Sequence, residues 1–174
     1  MTMSLRPQRG GFLRAFGCGW FIREFLLGHG PFDTPVIDLS VGAPQADIFR
    51  HYKNALRGAT AYDRAIRIEE KRARREKRVI SPENIDSLAR RYLEKIPYKG
   101  FRARYHSFVV YFSNLQRLGW VEESGKEEPS AFQDNYLPGP PRKYFRLTVV
   151  GKTVSELAWV NPRLALYSKR KKNG

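Results

Sequence analysis

Cysteine occurs once in this chain, at Cys18, so neither a disulfide framework nor a cysteine-based zinc site can be assembled within it. A single thiol fits a reducing, intracellular compartment. Histidine is nearly as scarce: His29, His51 and His106 stand apart, with no paired carboxylate and no ligand-like spacing. The chain also lacks a glycine-rich phosphate loop and a nucleophile elbow. No metal, no cofactor and no catalytic residue is expected, and the sequence reads as that of a non-enzyme. Long apolar runs are missing too. The most apolar stretch, "FGCGWFIREFLL", carries Arg23 and Glu24 and is far shorter than the ~20 residues that a bilayer-spanning helix needs, so no membrane partner is expected.

The remaining shortage is of acid. Against 32 Lys and Arg stand only 17 Asp and Glu, giving a formal charge of +15 and a pI near 10.2. Such a field attracts polyanions and speeds encounters with them, so nucleic acid is the leading partner, DNA ahead of ribosomal RNA. A small-molecule enzyme has no need of it. The hydrophobic fraction of 41% and aromatic fraction of 13% are those of a chain that folds, and 174 residues suit one domain with an elaboration.

Three segments are expected: a basic arm over 1–17, a domain over 18–162 carrying a basic helical insertion at about 58–99, and a basic tail over 163–174 that ends in "KRKKNG". Arg6, Arg9, Arg14 and Arg23 with no acid before Glu24 would also suit an organelle transit peptide.

Within the domain, the apolar spacing from Phe12 to Leu27 predicts a helix over 18–28, closed by Gly28, Gly30 and Pro31. "PVIDLSV" predicts a short strand at 36–39. Pro44 followed by Ile48, Tyr52 and Leu56 predicts a second helix over 44–57, ended by Gly58. "AYDRAIRIEEKRARREKR", from Ala61 to Arg78, is rich in helix formers and has little to bury. Ser81-Pro82-Glu83 is an N-cap signature for a helix over 82–96, with Ile85, Leu88, Tyr92 or Leu93, and Ile96 facing inward.

Between Arg102 and Leu118, residues Phe108, Tyr111, Phe112, Leu115 and Leu118 share one helical sector, while His106, Val110, Ser113 and Arg117 fall on the opposite side. After Gly119, "WVEE" and "RKYFRLTVV" alternate as strands and are expected to pair as an antiparallel hairpin across the polar segment 124–141. Phe108, Phe112, Leu115, Trp120, Leu147 and Leu157 are the expected core, with the three tryptophans in or beside it. The fold class is thus mainly α with a small antiparallel β-hairpin. Three helices followed by strand, wing loop and strand is the layout of a winged helix-turn-helix with a basic helical insertion.

The wording at the wing carries a resemblance. "LQRLGWVEES" followed by "GPPRKYFRLTVVGK", from Leu115 to Lys152, resembles the PadR and MarR type winged-helix regulators. That resemblance implies a recognition helix ending in a leucine-glycine turn, a second wing strand beginning at Arg142, and binding of DNA.

Three groups of candidate contacts follow. Arg102, Arg104, His106, Ser113 and Arg117 lie along the expected recognition helix, where Arg suits bidentate contact with guanine. Arg67, Lys71, Arg74, Arg75 and Arg78 crowd together in the insertion and suit phosphates, which give affinity without reading sequence. Arg142, Lys143 and Arg146 flank the wing and could grip a neighbouring phosphate or the minor groove, but its first half is acidic: Glu122, Glu123, Glu127, Glu128 and Asp134 would repel DNA and leave ion pairing or a protein contact open for it. For each group the bland alternative is a solvated surface. The expected role is a double-stranded DNA-binding regulator, or a plasmid or phage DNA-binding factor, in the cytoplasm or on the nucleoid. A ribosomal or other RNA-docking protein, in an organelle ribosome if the arm is a transit peptide, is the alternative. A homodimer stays open.

Overall fold

The computed structural model describes residues 17–99, 101, 103–129 and 139–166. The expected arm, the tail beyond 166, Asp134 with the middle of the wing loop, and Arg102 lie outside the described residues. Mainly helical with a small antiparallel sheet, the chain divides into two compact units. One consists of Gly17–His51 together with the chain from Arg104 onward, and the other of Tyr52–Ala103.

The first unit opens with α1 (Cys18–Leu26), whose Phe21, Ile22, Phe25 and Leu26 are buried. The stretch at 36–39 forms no strand; the chain instead reaches the sheet at β1 (Ala43–Pro44). Gly42 explains the location: its φ is +73°, and a Cβ there would lie 1.7 Å from the carbonyl oxygen of Phe145. Only glycine admits that approach. After β1 the helix α2 (Gln45–Glu76) begins, and its Ile48 and Phe49 join this core.

Helix α4 (Tyr105–Arg117) buries Phe108, Phe112 and Leu115, as its spacing predicts. The turn at Gly119, with φ +74°, reverses the chain into β2 (Val121–Glu128), which pairs antiparallel with β3 (Arg142–Leu147). Val121 faces Leu147 and Glu123 faces Phe145, and the register then slips so that Glu127 faces Lys143. β1 pairs antiparallel with the other edge of β3, placing Ala43 opposite Phe145, so the strand order is β1-β3-β2.

An aromatic chain fills the space above the sheet. Phe49 meets Phe108 at 5.2 Å, Phe108 meets Phe112 at 5.9 Å, and Phe112 meets Phe145 edge-on at 5.1 Å between ring centroids. Such pairs add to the area term of burial. Short helices α5 (Val149–Thr153) and α6 (Glu156–Val160) close the unit, capped by the Thr148 and Ser155 side chains. Trp159, wholly buried, lies 4.9 Å from Trp120. Leu157, an expected core residue, is 81% exposed, because α6 turns Trp159 inward instead.

The second unit is a helical hairpin. The expected break at Gly58 does not occur, and α2 runs on to Glu76 as one helix of 32 residues. A mid-helix glycine costs about 1 kcal/mol relative to alanine, and the helical turns around it bury Ala55, Leu56 and Ala59 on one side and Ala61 on another. Helix α3 (Pro82–Lys95) starts as its sequence predicts, with the Ser81 hydroxyl accepting the Asn84 amide. Ile85 and Leu88 pack with Ala65, flanked by Ile66, Ile68, Ala89 and Tyr92. This core is small. Polar and cationic bonds supplement it: Arg57 donates twice to the carbonyl of Ile96, and the Lys53 ammonium sits 4.3 Å from the centre of the Tyr98 ring.

Candidate nucleic-acid interface

In the helix–sheet unit, α4 keeps one side free of protein. His106, Ser113 and Arg117 are exposed, and so is Val110 between them, at 47%. Arg104 occupies the N-cap position and is exposed, and Arg117 sits in the last turn, where a cation complements the helix dipole. Among the described residues neither arginine has a carboxylate partner. The strip is therefore a surface of donors and one apolar side chain, with the Arg117 cation at its C-terminal end, while Arg104 precedes the helix one turn before the buried Phe108.

The cations of β3 are differently placed. Arg142 lies 2.7 Å from Asp47 and 3.9 Å from Glu128. The Lys143 ammonium lies 3.0 Å from both carboxylate oxygens of Glu123. Arg146, opposite Glu122 in the ladder, lies 3.0 Å from its carboxylate and also donates to the carbonyl of Ser40. The Tyr144 hydroxyl donates to Glu128, and that hydrogen bond, with burial, pushes the phenol pKa up. The Lys126 ammonium lies 4.4 Å from the centre of the Tyr144 ring. Glu122, Glu123 and Glu128 thus each have a cation at hand, while Glu127 has no ion-pair partner among the described residues.

In the hairpin unit the balance is reversed. Between Tyr52 and Ala103 there are fifteen Lys and Arg and seven Asp and Glu. Arg67, Lys71 and Arg74 are exposed, and among the described residues none has a carboxylate partner. Arg75 is 3.7 Å from Glu76 with most of its side chain in solvent. Arg78 differs from the rest of its group: it grips both oxygens of Glu69 and donates to Glu76 at 2.6 Å.

Glu69 is wholly buried and also accepts the Ser81 amide at 3.0 Å and the Asn84 side chain at 3.3 Å. These bonds, Arg78 first, hold its carboxyl at a pKa of about 2 against an ordinary 4.5. The same pairing raises the pKa of Arg78. The sequence places this arginine among phosphate ligands; in the fold it is the clasp between α2 and α3.

Sequence reasoning passed over Arg90 and Arg91, exposed cations of α3 that share a shallow depression with Glu83, Asp86 and Ser87. Their signal was available, since both fall outside the buried positions Ile85 and Leu88. The Arg64 guanidinium lies over Tyr92, 4.6 Å from its ring centre, and the residue is exposed.

The chain matches no protein-family model, no curated protein and no solved structure. No helix among the described residues is long and apolar enough to cross a membrane.

Proposed function

We propose that this protein is a winged helix-turn-helix protein that binds double-stranded DNA, without enzymatic activity, as a transcriptional regulator or a plasmid or phage DNA-binding factor. In this reading α1, the start of α2 and α4 are the three helices, β1 is the short strand between the first two, and β2 and β3 form the wing. The strand order β1-β3-β2 supports it. The hairpin from Tyr52 to Ala103 is then an insertion between the second and third helices.

The observation that carries the reading is the outward strip of α4, His106, Val110, Ser113 and Arg117, which is exposed and ends in an arginine with no carboxylate partner among the described residues. A helix with that profile suits the major groove, where donors meet base edges. Arg67, Lys71, Arg74 and Arg75 supply contacts to phosphates, which set affinity and salt dependence. The paired wing contributes little.

A second reading, an RNA-docking protein of the ribosomal kind, draws on those same unpaired hairpin cations, because phosphates of either nucleic acid satisfy them. Selection of preferred duplexes from a random pool, followed by competition against random DNA, separates the two. Under the first reading a preferred sequence emerges, and Arg117→Ala narrows its advantage by ~1–3 kcal/mol. A chain that ranks all duplexes equally while holding structured RNA tightly fits the second.

A further inference from the structure

The turn joining α2 to α3 carries two apolar side chains that the fold does not use. Val79 is 88% exposed and Ile80 44%. Turns are normally built from Gly, Asn, Asp, Ser or Pro, so two β-branched residues there call for a reason. The backbone beneath them is firmly held. Lys77 adopts the left-handed region at φ +53°, and the Arg78 amide donates back to the carbonyl of Ala73 at 3.0 Å, the closing bond of a Schellman-type helix end. Arg78 donates to the carbonyl of Val79 at 3.1 Å, and the Ser81 amide is fixed to Glu69. The buried clasp thus has a second effect, which is to hold Val79 and Ile80 rigidly in solvent.

Around the pair the charge is strongly positive. Lys71, Arg72, Arg74, Arg75 and Lys77 are all exposed; of the carboxylates nearby, Glu69 and Glu76 are engaged by Arg78, Glu83 accepts the Ser81 hydroxyl at 2.8 Å, and Glu70 adjoins Lys71. We infer that the hairpin turn is a wedge for duplex DNA: Val79 and Ile80 enter the minor groove and part a base step, while the surrounding cations hold the flanking phosphates. The inference rests on the DNA-binding reading above and extends it to a second contact that deforms the duplex.

Apolar wedges of this kind partly unstack a step and kink the helix toward the major groove. β-Branched side chains have few rotamers to lose on insertion. A protein partner fits less well, since the cores of protein interfaces are depleted of charge and stable ones are far larger than two side chains. A lipid surface fits less well too, because interfacial binding relies on a long apolar helix face.

The test uses the full chain and a short mixed-sequence duplex carrying 2-aminopurine at a TA step, the kind most easily unstacked. The parent is expected to raise the fluorescence on binding. Val79→Ser with Ile80→Ser should abolish that rise and weaken binding by about tenfold, the equivalent of losing one buried aliphatic side chain. The dependence of affinity on salt should not change, since no charge is altered.

Val79→Leu with Ile80→Leu should restore the signal. Binding without a rise in fluorescence, or a rise that survives the serine pair, overturns the wedge alone. Failure of the parent to bind the duplex overturns the DNA reading as well, and capture of the parent by phosphatidylserine vesicles but not by duplex assigns the turn to membranes instead.

Discussion

In the helix–sheet unit the β3 cations Arg142, Lys143 and Arg146 each stand against a carboxylate, whereas in the hairpin Arg67, Lys71, Arg72, Arg74 and Lys77 stand against none among the described residues. The cores differ in the same sense. A chain of large aromatic side chains joins α2, α4 and β3 in the first unit, while the second buries Tyr52, alanines and a few aliphatics and adds one ionic clasp. The two units show how a high net charge can be carried without loss of a fold. Repulsion is placed where burial demands little, and the part with a demanding core balances its own charges.

The comparison sharpens first in stability. Phe112 is wholly buried between Phe108 and Phe145, so Phe112→Ala should cost ~3–5 kcal/mol in urea denaturation. A near-native midpoint would break the claim that the aromatic chain holds this unit.

The clasp of the hairpin gives a smaller, asymmetric effect. Arg78→Gln strands a buried carboxylate, whereas Glu69→Gln leaves an amide that can still accept the Ser81 amide, so the arginine change should be the more damaging of the two. Hydrogen exchange checks this: the Arg78 and Ser81 amides should lose protection in both variants, more in Arg78→Gln, with the β3 amides unaffected.

The pH dependence follows from the sign of the shift. Glu69 has a folded pKa of about 2, below its ordinary 4.5. Its contribution is therefore complete above about pH 4.5 and is lost as the pH falls toward 2. Acid should loosen the hairpin turn in the parent, and the dependence should shrink in Glu69→Gln. An identical acid profile for both would assign the loosening to other carboxylates.

Much of this architecture was legible where a local rule governed. The inward face of α4, the Ser81 cap and the pairing of β2 with β3 follow from spacing and capping chemistry that act over a few residues. What was not legible depended on contacts distant in sequence. β1 formed at Ala43–Pro44, not at 36–39, because Gly42 lets the chain approach Phe145. Gly58 failed to end α2, since burial of the residues around it outweighed the local penalty.

Leu157 and Trp159 were interchangeable to the eye, and only the docking of α6 decided which went inside. At the candidate interface, the free strip on α4 was readable from the helical period. The diversion of Arg78 and of the β3 cations to carboxylates was not, because it requires knowing that the chain reverses between Glu69 and Ser81 and which residues face each other in the ladder.

The central claim is that affinity for nucleic acid resides in the unpaired cations of the hairpin and not in the paired cations of the wing. It is tested most directly by comparing the salt dependence of duplex binding in two charge-neutralised variants. Arg67, Lys71, Arg74 and Arg75 all changed to Gln should lower the slope of log affinity against log salt by about 0.9 for each phosphate that is no longer neutralised, and should weaken target and random duplexes alike. Arg142 and Lys143 changed to Gln should leave the slope close to that of the parent. Equal slopes for the parent and the hairpin variant, or a larger fall in the wing variant, would contradict the account.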